Sequence, residues 1–388
     1  MIYLDSNATT QVDPRVVESM LPFLTTHFAN PSASYASARI VKQAIATARG
    51  QVAALIDCEP DEIVFTSGGT ESNNAAIASA VTLEMRRAHL VTAKTEHAAV
   101  LEFVRRWSDT GRPVTEVNVD RDGIVILSAL RSATMPGKTT LVSVMWANNE
   151  TGVIAPIEEA LHIAHERGAV FHTDAVQAVG KIPVSMKELA VDYLSLSGHK
   201  FHAPKGVGAL FISRRVRFRP WSLGGGQEFG RRSGTENVAG IVALGKAAEL
   251  MREELERGGE AEVCAMRDAF ESRIFAELPD TVPHGSRAHR LGTTSNLCFP
   301  GVEAAGLLIL LDERGIACSA GSACHAGTLH PSQVLEAMGY DAEHARCSLR
   351  FSWSRMNTME ETTRAADAVI ECVKKMRTLN GTQVVRQN

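Results

Sequence analysis

The sequence predicts an α/β fold with a large domain, built on a mostly parallel sheet between helices, and a smaller α/β domain. Its 388 residues exceed what one compact core usually holds. Between about residues 60 and 215, short apolar runs alternate with amphipathic segments, which is typical of parallel sheets covered by helices on both faces. The composition, 45% hydrophobic and 22% charged, is ordinary for a globular protein.

The apolar runs predict the strands of the large domain in order. We expect strands at 63–66, 89–93, 141–146, 169–173, 193–197 and 208–212, with helices at 71–85, 98–108 and 157–166 between them. Ligands of such sheets bind beyond the carboxyl ends of the strands. Ser67, Asn148, Asp174 and Lys200 all follow predicted strands at that position.

A long helical pattern at 237–257, ending at Gly258-Gly259, links the two domains. We assign residues 15–257 to the large domain, and residues 1–14 with 258–388 to the small one. In the small domain we expect a helix at 261–277, strands at 294–299 and 349–352, and a final helix at 359–377.

Charge and cysteine usage exclude several classes of protein. The net charge of −4 gives no electrostatic case for nucleic-acid binding. The chain starts without a basic signal region, and no apolar stretch reaches the roughly 20 residues that span a bilayer. Seven cysteines without C-x-x-C spacing argue against a disulfide framework and a zinc knuckle. We therefore expect a cytoplasmic protein without a metal site.

Lys200 and Asp174 are the most informative pair. Each stands at the end of an apolar, strand-like run, and the two are 26 residues apart. A lysine there can form a Schiff base with pyridoxal phosphate (PLP), while an aspartate can keep the pyridine nitrogen protonated. A solvated surface lysine is the ordinary alternative for Lys200 alone, so the pair depends on the motifs that accompany it.

The segment 66–73, TSGGTESN, follows a strand and opens a helix, where free N–H groups favour an anion such as phosphate. Thr70 adds a hydroxyl donor. An ordinary capped turn is the alternative. His97 could stack on a cofactor ring or simply cap a helix. Asn149 could donate to a ring oxygen or belong to an Asn-rich turn, and Gln177 lies one turn beyond Asp174.

Cys324 lies in a loop of small residues, 319–327 (SAGSACHAG). Exposure in such a loop suits a nucleophilic thiol, although an incidental cysteine is equally compatible. Cys318 ends an apolar run and is interpreted as a packed core residue. Arg350 interrupts an apolar strand pattern, and a buried arginine needs an anion. A substrate carboxylate and a structural ion pair are both candidates for that anion.

Together these motifs resemble the PLP-dependent cysteine desulfurases of the NifS/IscS type, within the class-V, fold-type-I aminotransferase-like superfamily. The resemblance runs from 3–10 (YLDSNATT) to 350–352 (RFS) and includes 144–152 (VMWANNETG), 197–200 (SGHK) and 232–237 (RSGTEN). It implies PLP on Lys200, ring contacts from His97, Asp174, Asn149 and Gln177, and a phosphate site formed by Gly69, Thr70, Ser197 and His199. It further implies that Thr235 reaches the phosphate of a second subunit in a homodimer, that Asn30 and Arg350 hold the substrate carboxylate, and that Cys324 accepts sulfur.

The resemblance implies conversion of L-cysteine to alanine, with a persulfide on Cys324 that passes to an acceptor protein. His97 is the expected proton acceptor for the thiol. Ala320 and His325 depart from the usual loop of the family, and a Cys-His pair also occurs in selenocysteine lyases, which makes that activity the alternative. A PLP aminotransferase is a further alternative. The acceptor stays open between iron–sulfur cluster assembly, tRNA or DNA thiolation and a cofactor pathway.

Overall fold

The structure is a computed structural model that describes residues 1–84, 88–320, 324–325, 328–329, 332–379 and 381, without the side chains of 324–325 and 328–329. Its strands are β1 Ile2–Tyr3, β2 Ile63–Thr66, β3 His89–Ala93, β4 Val114–Val117, β5 Thr139–Ser143, β6 Val170–Asp174, β7 Tyr193–Ser197, β8 Gly208–Ile212, β9 Val282–Pro283, β10 Thr294–Cys298, β11 Ile316–Ala317, β12 Cys324–His325, β13 Thr328–Leu329 and β14 Ser348–Ser352.

The α-helices alternate with these strands along much of the chain. They are α1 Pro14–Met20, α2 Pro22–Thr25, α3 Ala36–Leu55, α4 Gly69–Leu83, α5 Ala98–Asp109, α6 Leu127–Ala133, α7 Ile157–Glu166, α8 Val238–Glu256, α9 Glu260–Glu277, α10 Ala304–Asp312, α11 Gln333–Ala337, α12 Ala342–Arg346 and α13 Met359–Leu379. Among the described residues, no helix is both long enough and apolar enough to cross a membrane.

The central sheet has the order β2-β8-β7-β6-β5-β3-β4, and only β8 runs antiparallel to its neighbours. Alternate residues of a strand point to opposite faces. Ile63 and Phe65 therefore pack in the core with α3, α7 and α8, whereas Val64 packs with α4 and α5. Helices cover both faces, which confirms the predicted fold class.

A second core lies outside the sheet. Its buried residues come from the N-terminal segment, α9, β10, α10, β14 and α13. Strand β1 pairs with β11, and Asp5 pairs with Ser352, so the first residues belong to this unit. Around Leu291 and Val334, however, the chain packs into the core of the large sheet. On the basis of these two cores we propose residues 15–257 as the large domain. The segments around Leu291 and Val334 belong to the small domain by position but pack in the core of the large one.

Most predicted element positions agree with the structure, and the differences have local causes. The run predicted at 141–146 forms β5 at Thr139–Ser143, because the chain leaves the sheet after Ser143 to build the turn around Asn149. The edge strand β4 was not predicted, since its residues are mostly only half-buried and carry little apolar signal. The twenty-residue helix α3 was also not predicted.

Candidate active site

The carboxyl end of the sheet opens into a cavity of about 410 Å³, which is in the size range of cofactor sites. Most of the side chains predicted from the sequence meet there. The cavity is lined by Gly69, Thr70, His97, Asn149, Asp174, Gln177, Ser197, His199, Lys200 and Arg350, together with Asn7, Ala8, Asn73, Met145, Val176, Ser319 and Ala320. The parallel strands bring residues separated by more than a hundred positions to one edge.

Lys200 lies in a single helical turn directly after β7. Its Nζ donates to the carbonyl oxygens of Asn7 at 2.6 Å and Ala8 at 2.7 Å. Burial, and after it the positive charge of Arg350, lowers the pKa of Lys200 to about 8. An amine that loses its proton near neutral pH is a competent nucleophile, as covalent attachment of a carbonyl compound requires.

Asp174 is the last residue of β6, and its carboxylate is fixed by two donors. The Asn73 amide nitrogen donates to Oδ2 at 2.6 Å, and the Val176 N–H donates to Oδ1 at 3.0 Å. Asn73 is the last residue of the 66–73 motif, and no role for it was predicted from the sequence. Its place one turn into α4 carries it over the sheet edge toward Asp174. Asn73 Oδ1 is buried and has no partner among the described residues.

The phosphate candidates surround the start of α4. Gly69 begins the helix, and a Cβ built on it would lie 2.6 Å from Val176 Cγ2, so a larger residue would clash where α4 approaches the turn after β6. Ser197 and His199 form the facing wall. Burial, and after it the charge of Lys200, lowers the pKa of His199 to about 4, which keeps the ring neutral. Its Nδ1 lies 3.2 Å from the Thr9 hydroxyl.

His97 is both a cavity residue and the cap of α5. Its Nδ1 accepts a hydrogen bond of 3.1 Å from the Ala99 N–H. The capping alternative is therefore realised. A neutral ring with Nδ1 as acceptor carries its proton on Nε2, so His97 offers a donor toward the cavity. Accepting a proton would require the Ala99 bond to break.

Arg350 lies on β14 and forms a structural ion pair, one of the two kinds of partner predicted for it from the sequence. Its Nη2 donates to Asp5 Oδ1 at 2.7 Å, and its Nη1 donates to the Asn149 carbonyl at 2.9 Å. The Nε atom is buried without a partner among the described residues. The guanidinium thus lines the cavity with donor capacity left for a carboxylate.

Three predicted residues are not among those lining the cavity. The side chain of Cys324 lies outside the described residues, although its backbone pairs with Leu329 in a short hairpin that follows the cavity residues Ser319 and Ala320. Thr235 is exposed. Asn30 is exposed, and its Oδ1 accepts from the Ser32 N–H at 2.9 Å. The roles of these three stay predictions.

Cys318 differs from Cys324 in its surroundings. Burial, and after it the charge of Asp5, raises the pKa of the Cys318 thiol to about 12. It packs against the core of the small unit. A thiol that stays protonated is a poor nucleophile, which agrees with its interpretation as a packed residue.

Comparison with known proteins agrees with this geometry. The family model for aminotransferase class-V matches residues 2–364. A cysteine desulfurase of Trichormus azollae is 47% identical over 380 residues, covering 98% of this chain and 94% of the relative. The cysteine desulfurase NifS of Azotobacter vinelandii is 44% identical over 380 residues, covering 98% and 94%. A solved NifS-like protein superposes with a TM-score of 0.90 at 37% identity, covering 96% of this chain and 99% of that chain.

The chain belongs to the class-V aminotransferases and, within them, to the PLP-dependent cysteine desulfurases of the NifS type. The residues present fit the cofactor. Lys200 supplies an amine, Asp174 a carboxylate for a pyridinium nitrogen, and the Gly69 turn a helix start for a phosphate. Two lining residues also have a buried polar atom without a partner among the described residues, Asn73 Oδ1 and Arg350 Nε, which is compatible with a polar ligand.

Proposed function

We propose that this protein releases sulfur from L-cysteine as a persulfide on Cys324 and leaves L-alanine. The observation that carries the proposal is the single cavity in which Lys200, Asp174 and Arg350 meet, beside the residues that lead into the Cys324 hairpin. An aminotransferase would need the first two but no thiol. Bound PLP would supply an electron sink that stabilises a carbanion at the substrate α-carbon.

Lys200 is the residue that holds the cofactor and moves the α-proton. With a pKa near 8, its amine exists in both protonation states close to neutral pH, so Nζ can take up a proton and return it. The carbonyls of Asn7 and Ala8 accept from Nζ and keep it at one position on the wall. Asp174, held by Asn73, provides the fixed negative charge opposite.

The remaining wall residues bind and orient. Gly69, Thr70, Ser197 and His199 form the phosphate site, and Thr70 stands in the first turn of α4. Asn149 and Gln177 offer side-chain amides to the ring. Arg350 directs its free N–H groups at the substrate carboxylate while Asp5 and the Asn149 carbonyl keep the guanidinium in place. Asn30 is proposed to assist at that carboxylate.

Cys324 performs the sulfur chemistry. Its thiolate attacks the substrate sulfur, so that a sulfur–sulfur bond forms while the carbon–sulfur bond breaks and its electron pair returns to carbon. His97 lies on the cavity wall and is proposed to stack on the ring. Because its Nδ1 accepts from Ala99, it donates through Nε2 in this geometry and takes the thiol proton only if the cap bond opens.

We further propose a homodimer in which Thr235 contacts the phosphate bound by the partner subunit. The segment from 214 to 237 is mostly exposed in the single chain, and it carries Trp221, Leu223 and Phe229 at 55%, 82% and 70% exposure. Large apolar side chains at such exposure are typical of an interaction surface. The sulfur acceptor is proposed to be a protein that docks near the Cys324 hairpin, in the cytoplasm.

A pair of cysteine variants tests the function. We expect Cys324→Ser to bind PLP and L-cysteine but to form neither alanine nor persulfide. Cys318→Ala, the matched control, should keep most activity, because its thiol is packed and protonated. Alanine is measured by chromatography, and the added sulfur by fragmentation mass spectrometry. Full desulfurase activity in Cys324→Ser would overturn the nucleophile assignment.

Mixed dimers test the shared site. Lys200→Ala and Thr235→Ala subunits are each expected to be inactive or weak alone. Mixed together, they should recover part of the activity, because one site in each heterodimer then has both residues intact. A fully active monomer, or mixtures no better than the average of the two parents, would contradict a shared phosphate site.

A further inference from the structure

Lys181 is a buried lysine beside the active site to which the mechanism assigns no role. It stands four residues beyond Gln177 in the turn after β6, with 9% of its surface exposed. Lysines are almost never fully buried unless they are paired. Burial, and after it the charges of Lys200 and Arg350, lowers the pKa of Lys181 well below its ordinary value. Burial of the Lys181 amine is therefore unfavourable in free energy.

The Lys181 amino group makes two hydrogen bonds, both to side-chain amide oxygens. Nζ donates to Gln177 Oε1 at 2.5 Å and to Asn7 Oδ1 at 2.8 Å. Both contacts need only N–H donors, which the neutral amine and the ammonium each provide. The geometry therefore holds in either protonation state.

These contacts determine which way the Gln177 amide points. Nζ donates to the Gln177 oxygen, and the Asn7 carbonyl beside it can only accept, so the amide turns its oxygen toward Lys181 and its nitrogen toward Asn7. The Gln177 nitrogen then donates to the Asn7 carbonyl at 2.9 Å with one N–H. The second N–H of that nitrogen remains for the cavity, which Gln177 lines. The buried amine and the Asn7 carbonyl together are thus the reason that Gln177 presents a donor and not an acceptor to the cavity.

Asn7 connects the same group to the small unit. Its backbone N–H donates to Ser352 Oγ at 2.9 Å, and its amide donates to Thr294 Oγ1 at 2.9 Å and to the Asn149 carbonyl at 3.2 Å. Lys200 also donates to the Asn7 carbonyl. Lys181 therefore contacts Asn7, the residue that also contacts Lys200, the Asn149 turn and the strands β10 and β14.

A second, small cavity lies next to Lys181 and Lys200. Its volume is about 40 Å³, and both Lys181 and Lys200 line it, with Ser6 and Thr10. That volume is enough for ordered water, which can accept a further N–H of the amine.

We propose that Lys181 is a positioning residue of the cofactor site, whose buried amine fixes Gln177 and Asn7 in the one orientation that presents a Gln177 N–H to the cavity. The inference rests on the proposed role of Gln177 at the cofactor. Removing the amine leaves two buried amide oxygens without a donor, which is unfavourable because a buried acceptor that loses its partner is not compensated by water. Part of that cost falls on cofactor binding, because the Gln177 amide then keeps only its contact with the Asn7 carbonyl and is held less firmly in this orientation.

The test is a double-mutant cycle on PLP affinity, measured on apoprotein by absorbance or fluorescence without any turnover. The variants are Lys181→Met, Gln177→Leu and the double variant. We expect Lys181→Met to weaken PLP binding by about tenfold in the parent, as one lost oriented donor implies. In the Gln177→Leu background the same change should have less than about a twofold effect, because the amide on which Lys181 acts is gone.

Lys187→Met is the matched control. Lys187 is six residues along the chain and exposed, and it pairs with Asp57, so its loss should leave PLP affinity unchanged. If Lys181→Met fails to fold, Lys181→Gln replaces it, and the same dependence on Gln177 is expected. An equal effect of Lys181→Met in both backgrounds, or no effect in the parent, overturns the proposal.

The outcomes separate this inference from the proposed function. If Gln177→Leu binds PLP as well as the parent, the cofactor role of Gln177 is wrong and the positioning role fails with it. If Gln177→Leu weakens binding and Lys181→Met does not, only the positioning role is wrong. If the parent protein does not turn over cysteine, the proposed function is wrong. The PLP affinities of the variants can still be compared, because their measurement needs no turnover.

Discussion

The shifted pKa of Lys200 leads to a quantitative prediction for the apoprotein. Burial and the Arg350 charge lower it from 10.5 to about 8. At pH 8 about half of the Lys200 amines are then neutral, whereas about 0.3% of ordinary lysines are, from 1/(1 + 10^2.5). Only the neutral amine reacts with a carbonyl or acyl group. At pH 8 the neutral fraction of Lys200 should therefore be about 150-fold larger than that of an ordinary lysine, and its reaction correspondingly faster.

Trace acetylation between pH 6 and 11, read by mass spectrometry of the peptides, measures this directly. The labelling of Lys200 should rise with a midpoint near pH 8. Lys187 is the control, because its hydrogen bond to Asp57 raises its pKa. The variant Arg350→Met removes the second cause and should move the Lys200 midpoint upward. A Lys200 midpoint above pH 10 in the parent would refute the argument that the cavity desolvates this amine.

The same shift predicts how stability depends on pH. A lysine whose folded pKa is lowered binds fewer protons in the folded than in the unfolded state, so stability rises with pH across the interval between the two values. For Lys200 this interval runs from about pH 8 to 10.5. The free energy of unfolding of the apoprotein should rise there by up to about 3 kcal/mol. Lys200→Met should abolish this part of the rise in urea titrations.

Three further substitutions have defined outcomes. Asn73→Leu removes the donor at Asp174 and should weaken PLP binding by about tenfold or more in equilibrium titrations, since hydrogen bonds to charged groups contribute about 1.5–3 kcal/mol; unchanged affinity would contradict this. Glu228→Gln leaves the buried charge of Arg49 without its carboxylate and should lower the free energy of unfolding by about 3 kcal/mol in urea, whereas a loss below about 1 kcal/mol would contradict it. Burial raises the pKa of Glu150 to about 7, so the folded state is destabilised as pH rises from 4.5 to 7. Glu150→Gln should remove this decrease from the melting temperature measured against pH. An unaltered profile in Glu150→Gln would show that Glu150 does not cause the decrease.

Much of the sheet and of the site could be predicted because both depend on local patterns. Strands that are buried on both faces have continuous apolar runs, so β2, β3, β7 and β8 were predicted with their exact bounds. Side chains that follow such strands must meet at one edge of the sheet, which is why Lys200 and Asp174 share a cavity.

Other features of the site had no readable local signal. Lys181 sits in an apolar stretch without a motif, and its burial depends on Asn7, 174 positions away. His97 both caps α5 and lines the cavity, and only the folded structure shows that its Nδ1 accepts the Ala99 N–H. Helix α3 packs mainly on α8, which lies far along the chain, so its amphipathic pattern alone did not reveal it.

The sequence by itself determined the fold class, the positions of most strands along the chain and the chemical groups available for PLP and sulfur chemistry, because each follows from periodicity and from neighbours along the chain. The tertiary structure decided which of those groups are already engaged. Arg350 lies beside Asp5 only because the N-terminal segment runs alongside β14, between the two cores. Lys200 has its lowered pKa because the same segment and the sheet together bury its amine, and because Arg350 adds a positive charge nearby. Desolvation and long-range pairing depend on the folded arrangement of distant segments, which no local pattern in the sequence contains.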